Sequence, residues 1–382
     1  MVAPPGAPAF AFRRAPLLFL GVASLVVAVY AGLVRVGWTW PAVLEGLPEG
    51  HGALMVCGFL GTVIGLERAV ALGRFWAYGA PLLAALGAVA AVAGLPDAFD
   101  FHPGVPRALF LASSVALLAN TIVIARRQPA LFTFVLALGV ACWAAGNTFW
   151  LLSALRPEEN ARWYQLQPLY KIVFWWGGFL VLTIASERLE LSRVTRLTPT
   201  AVALFVGTTA VLLAGLVLMI VRLAPGVRLT GAGLAATSLW LLRFDVARRT
   251  IRLQGLPKFI AAGLLSGYAW LAASGAFALW FGADLGTLHR DALYHSLFLG
   301  FVFSMIMAHA PVILPAVTGM RVPFSRVFYV PLALLHASLA LRVAADLAAW
   351  LPGREWGAMI NAVAVIGFFG VVVGSVVLAK RA

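Results

Sequence analysis

The chain has 382 residues, 62% of them hydrophobic and only 11% charged, and its mean hydropathy is +0.96. That balance excludes a soluble globular enzyme, which is about half apolar and a quarter charged. A net charge of +14 would suggest nucleic acid in a soluble protein, but here the basic residues sit in short breaks between apolar runs, where membrane topology accounts for them. Nucleic acid is therefore excluded as a partner, and lipid is expected instead.

A helix that crosses a bilayer needs about 20 apolar residues. Runs of that kind, bounded by charged or Pro/Gly-rich breaks, fall near 15–36, 51–72, 76–95, 106–125, 130–153, 168–189, 199–223, 229–246, 259–282, 293–317, 327–351 and 357–379. The expected fold is all-α, a polytopic membrane bundle of about 12 transmembrane helices forming a single domain over 15–380, after a tail at 1–14. The run that follows Arg13-Arg14 is longer than a signal-peptide core and has no small-residue cleavage site, so it reads as an uncleaved first helix. Unbroken apolar runs do not alternate, which excludes a transmembrane β-barrel. Cys57 and Cys142 both lie inside such runs, and no CxxC motif is present.

An even number of crossings puts both ends on one side. Arg74, Arg126, Arg127, Arg248, Arg249, Arg252, Lys258, Arg321 and Arg326 fall on that side, while Glu49, Asp284, Asp291 and Glu355 fall on the other. The positive-inside rule makes the terminal side cytoplasmic.

The second span reads GFLGTVIGLERAVALGR from Gly58, the sixth GFLVLTIASERLELSR from Gly178 and the tenth GFVFSMIMAHAP from Gly300. Nine residues further on stand Glu67, Glu187 and His309. A spacing of about 120 residues corresponds to four helices, which suggests three four-helix units with the second, sixth and tenth helices equivalent.

Ionisable groups in hydrocarbon are expensive, and so they mark function. His51 and His295 both lie near the outer ends of their spans. His309 stands 14 residues beyond His295, about 21 Å along a helix, so one ion cannot join those two. His336, counted from the cytoplasmic side, matches the depth of His309. The histidines thus sort into an outer and an inner pair, each on two helices, an arrangement that axial haem ligation or a small metal site requires. Interhelical hydrogen bonding and headgroup contact are the alternatives. Met305, one turn before His309, offers a thioether suited to copper. His102 and His289 fall in outer loops. Trp175, Trp176, Tyr170 and Tyr294 could line a flat cofactor or belong to interfacial aromatic belts. Glu67-Arg68 and Glu187-Arg188 read as anchors pairing across helices near the cytoplasmic side, or as a proton entry point. Lys171, Arg35 and above all Arg342 are candidates to hold haem propionates, because the guanidinium fork matches a carboxylate.

The stretch HSLFLGFVFSMIMAHAPVILPAVTGMRVPFSRVFYVPLALLHASLALR from His295 resembles the signature region of the NnrS family of membrane proteins. The matching positions are His295, Gly300-Phe301, His309, Ile313-Leu314-Pro315 and Gly319-Met320-Arg321, with one residue inserted in the loop. The N-terminal match rests on His51-Gly52, Gly58-Phe59 and Gly73-Arg74, and lacks the second histidine and the acidic residue usual in that family. The family is itself similar to subunit I of haem-copper oxidases, a twelve-helix bundle whose low-spin haem lies between helices two and ten. The resemblance implies haem b on His51 and His295, with a second haem or copper on His309 and His336. It also implies a role in electron transfer or nitric-oxide metabolism in a bacterial cytoplasmic membrane, with a quinol or a cytochrome as electron donor. The sixth and seventh spans hold no histidine, so an oxygen reductase is not expected. A twelve-helix secondary transporter without cofactor is the rival expectation, and an assembly scaffold without chemistry is a third.

Overall fold

A computed structural model describes residues 14–40, 46–94, 104–155, 169–192, 197–282, 284 and 286–381. Arg13 and His102 lie outside them, as does the side chain of Tyr170. Among the described residues there is no strand, and twelve long helices follow one another: α1 (Ala15–Val36), α2 (Leu47–Leu72), α3 (Phe75–Ala93), α4 (Gly104–Arg127), α5 (Leu131–Leu155), α6 (Leu169–Leu191), α7 (Pro199–Val221), α8 (Leu223–Phe244), α9 (Leu256–Phe281), α10 (Thr287–Thr318), α11 (Tyr329–Leu347) and α12 (Leu351–Arg381).

Eleven of these are long and apolar enough to cross a membrane. The other, α8, has 22 residues, or about 33 Å, and so matches the roughly 30 Å hydrocarbon core in length. Its lower apolarity comes chiefly from Arg228 and Arg243, with smaller contributions from buried Thr230, Thr237 and Ser238 and from its glycines, of which Gly226 and Gly233 face α7. A Cβ on Gly233 would stand 2.5 Å from the Cα of Leu212, so only glycine lets these two backbones approach so closely. The result is a multi-pass membrane protein. Large apolar side chains such as Phe19, Phe75, Val221 and Trp280 lie on the outside, where lipid covers them.

Consecutive helices pack side by side, and α12 returns to α1, so the bundle closes on itself. Three helices lie inside it. In the central stretch of α6, 83% of residues are buried, and in α2 and α10 67%, against 22–50% for the other eight apolar helices. The interior helices are thus the second, sixth and tenth, the three that the four-helix spacing sets apart.

Two of those three share a further feature. Both α2 and α10 widen into a π-helical stretch, Leu54–Leu60 and Ser296–Phe303, just after His51 and His295 respectively. In such a stretch the bonds run i→i+5, which is rare and is found most often at functional sites. Each stretch contains the Gly-Phe pair of its unit, Gly58-Phe59 and Gly300-Phe301, and Phe59 stacks on Phe303 with ring centres 6.1 Å apart.

Candidate functional site

α10 starts at Thr287, two turns earlier than the apolar run alone suggests, because its first turns are polar: TLHRDALYH. This extension carries Asp291 one turn before His295, on the same helix face. His51 lies in the first turns of α2, after the short 3-10 segment Leu47–Gly50.

The two imidazoles face one another. Their ring centres are 6.4 Å apart with 29° between the planes, which is too wide for van der Waals stacking. His51 Nδ1 donates to the carbonyl of Ala28 at 2.6 Å, and His295 Nδ1 donates to the carbonyl of Asp291 at 3.0 Å. A carbonyl can only accept, so both rings carry their proton on Nδ1 and present a lone pair on Nε2. Gly32 makes room for the first ring, since a Cβ there would lie 2.7 Å from it.

Both rings line a cavity of about 260 Å³ between α1, α2, α6, α10 and α12, whose apolar walls include Val56, Leu60, Phe298, Phe303 and Val365. Trp176 and Tyr294 also line it. Trp175 instead packs edge-on against Phe149, at 5.6 Å. Arg35 reaches the cavity from the last turn of α1. Lys171 is buried near the start of α6 and is not part of the lining.

Arg342 also lines the cavity, but its fork closes on Asp291, with Nε and Nη2 at 2.7 and 2.9 Å from the two carboxylate oxygens. Arg342, expected to meet a propionate, thus clamps the carboxylate that stands behind His295 while it lines the cavity. Asp291 Oδ1 is 3.3 Å from His295 Nδ1, Arg354 adds a second guanidinium at 3.4 Å, and Asp346 in turn lies 3.1 Å from Arg354. Asp291, Asp346 and Arg354 were not among the sequence candidates. The i,i+4 spacing of Asp291 and His295 was the one available signal.

The donor set suits haem iron. His51 and His295 would hold such a group through their Nε2 atoms, since each Nδ1 is already engaged with a backbone carbonyl. Arg35 is placed to meet an acidic edge of such a group.

The inner histidines are not brought together. His309 Nδ1 donates to the carbonyl of Met305 at 2.8 Å, and its Nε2 accepts from Arg188 Nη1 at 2.9 Å. His336 Nδ1 accepts from Trp270 Nε1 at 3.0 Å, and its Nε2 then donates to Ser266 Oγ at 2.8 Å. All four nitrogens have protein partners, and no group of three metal-ligating side chains exists among the described residues. The Met305 methyl packs against Gly267 of α9 instead of standing beside His309. The reason is rotational: matched depth on neighbouring helices does not make two side chains point at each other. His289, for its part, stacks on Phe281 at 3.9 Å.

At the other end of the interior helices, Arg68 of α2 donates to Glu187 of α6 and stands 3.8 Å from Glu67. Arg188 of α6 pairs with Asp245, Nε to Oδ2 at 2.8 Å, both side chains almost wholly buried. Glu67, Glu187 and His309, the equivalent positions of the three units, thus belong to one polar cluster that also includes Arg68, Arg188 and Asp245.

Fold and site together define a polytopic helical membrane protein with a facing histidine pair near one end of its interior helices. Over residues 14–377 the chain matches a family described as a domain of unknown function, DUF8744, and it belongs to that family. No curated protein matches it.

Proposed function

We propose that this chain is an integral membrane haem protein of the NnrS type, with His51 and His295 as the axial ligands of one haem b, acting in electron transfer or nitric-oxide metabolism. The observation that carries this reading is the geometry of the pair. Two imidazoles from separate helices each have Nδ1 held by a carbonyl, both line one cavity, and their ring centres are 6.4 Å apart. When bound, haem b supplies reversible one-electron chemistry at its iron. The protein's part is to orient both rings, to place Asp291 behind one of them, and to wall the group with apolar side chains. The inner histidines enter this reading only as hydrogen-bonded structural residues, so it contains neither a second haem nor copper.

The arginines on the terminal side support an orientation with both termini in the cytoplasm, and the reading takes the membrane to be a bacterial cytoplasmic one with the site toward its outer face. A quinol in the bilayer or a cytochrome at that face is the electron donor that suits this position.

A reduced-minus-oxidised optical spectrum of the purified protein, with iron and copper counted per chain, tests the proposal. One low-spin haem b and no copper are expected, and His51→Ala or His295→Ala each abolishes the low-spin signal while the protein remains inserted. A wild-type protein without haem overturns the reading. Substrate counterflow in haem-free vesicles would then establish the transporter instead.

A further inference from the structure

The connection from α8 to α9 is a built shelf. Asp245 follows α8 in extended conformation, and its Oδ1 accepts from the backbone N–H of Ala247 at 2.6 Å, capping the helical turn Ala247–Thr250. Backbone bonds from Thr250 to Val246 and from Ile251 to Ala247, at 3.1 and 3.0 Å, consolidate the turn. The other oxygen of Asp245 accepts from Arg188 in the bundle interior. The shelf is therefore fixed to α6 as well as to its own helix.

This shelf gathers Arg243, Arg248, Arg249 and Arg252 around one cavity of about 480 Å³, with Thr198 and Ala201 of the α7 N-terminal turn on the far wall. Arg248 Nη1 donates to the carbonyl of Arg243 at 2.9 Å, and the Arg243 guanidinium lies 5.2 Å from the ring centre of Phe244. The carboxylate in the wall, Asp245, is already committed to Arg188 and Ala247. None of the four arginines pairs with a carboxylate among the described residues.

The positive-inside rule asks for arginines on this face of the membrane but not for their convergence on a cavity. Four arginines around one cavity, none of them engaged with a carboxylate among the described residues, are a receptor for phosphate oxygens. Beyond the cavity, exposed Leu204 and Leu239 continue about one turn further along α7 and α8, into the apolar belt. A soluble phosphate makes no use of those leucines, whereas an acyl chain covers them. We propose that this cavity binds the phosphate of an anionic membrane phospholipid, whose chains lie along α7 and α8.

The test uses the full-length protein in a neutral detergent, with lipid retention read by native mass spectrometry. Phosphatidylglycerol, phosphatidylcholine and inorganic phosphate are supplied in separate arms. The wild type is expected to retain one phosphatidylglycerol in preference to phosphatidylcholine, and millimolar inorganic phosphate does not displace it. Changing Arg243, Arg248, Arg249 and Arg252 together to Gln weakens retention about tenfold or more. Changing Arg74, Arg126 and Arg127 to Gln, on the same face but outside the cavity, leaves retention unchanged. Equal retention of phosphatidylcholine by the wild type overturns the proposal, and that arm does not depend on any variant folding. Displacement by inorganic phosphate overturns the lipid assignment in favour of a soluble phosphate, and an equal loss in the Arg74/Arg126/Arg127 variant reduces the effect to diffuse surface charge.

Discussion

Asp291 is the residue on which most of the outer polar network depends. It accepts from His295 through its backbone and faces the same ring with its carboxylate, while Arg342 and Arg354 hold it in place. A carboxylate behind a ligating histidine makes the ring a stronger donor and fixes its tautomer. On the proposed haem reading, Asp291→Asn is expected to raise the midpoint potential and to lower haem retention about 10–100-fold, as read by potentiometric titration and by haem content after dilution. An unchanged potential would show that Asp291 serves only the two arginines. The inner residues predict a different outcome. Because each inner histidine is satisfied by protein partners, His309→Ala and His336→Ala should leave iron content and the haem spectrum untouched. Arg188→Ala should be more damaging, since it strands the buried Asp245 carboxylate and leaves His309 Nε2 without its donor. A loss of about 3–5 kcal/mol is expected, with Arg188→Ala/Asp245→Ala costing less than the sum of the single changes, measured by reversible unfolding in mixed micelles.

At the scale of the helix, the π-helical stretches set the direction in which each outer histidine points. An alanine inserted between Ala53 and Leu54 adds a residue beyond the one that the widened turn already absorbs, and so turns His51 by about 100° relative to the buried half of the helix. The variant should still insert but lose the low-spin haem signal. A retained signal would mean that the widened turn does not aim the ligand. These stretches could not be read in the sequence, because LMVCGFL and SLFLGFVF are made of residues that an ordinary helix also accepts. The helices themselves were legible, since runs of twenty apolar residues leave the backbone no alternative in hydrocarbon. Their ends were less so: the polar first turns of α10 and the Arg- and Pro-containing start of α8 carry no hydropathy signal. The same distinction runs through the site. Depth can be counted along a sequence at 1.5 Å per residue, which put His51 level with His295 and His309 level with His336. Rotation about the helix axis cannot be counted that way, and it separates the pair whose rings face each other from the pair whose rings do not. The three-unit spacing paired the second, sixth and tenth helices, but that these are the interior ones is seen only in the structure.

For the molecule as a whole, α12 packs back on α1, and if each of the twelve long helices crosses, the two ends of the described chain fall on the same side of the membrane. Cysteines introduced between α4 and α5 and at the Arg248 shelf should be labelled by a membrane-impermeant reagent only in inside-out vesicles. One introduced at Asp284 should be labelled only in right-side-out vesicles. Labelling of the Arg248 shelf and Asp284 from the same side would remove α9 as a crossing and break the four-helix period.

The separation of the two polar regions along α10 has an electrical meaning. His295 and His309 are 14 residues apart, so the outer pair and the inner cluster stand about 20 Å apart in a bilayer core of about 30 Å. Each elementary charge that crosses the full membrane at 100 mV exchanges about 2.3 kcal/mol with the field. An electron delivered to the histidine pair from its own face traverses little of that drop, and one delivered from the opposite face traverses most of it. The apparent midpoint potential in energised vesicles should therefore stay nearly constant when the mediator is confined to the near side, and should shift by a large fraction of the applied voltage when the mediator is confined to the far side. On the proposed haem reading, the face that couples weakly is the one nearer to the histidine pair, so the measurement reads the depth of the site directly.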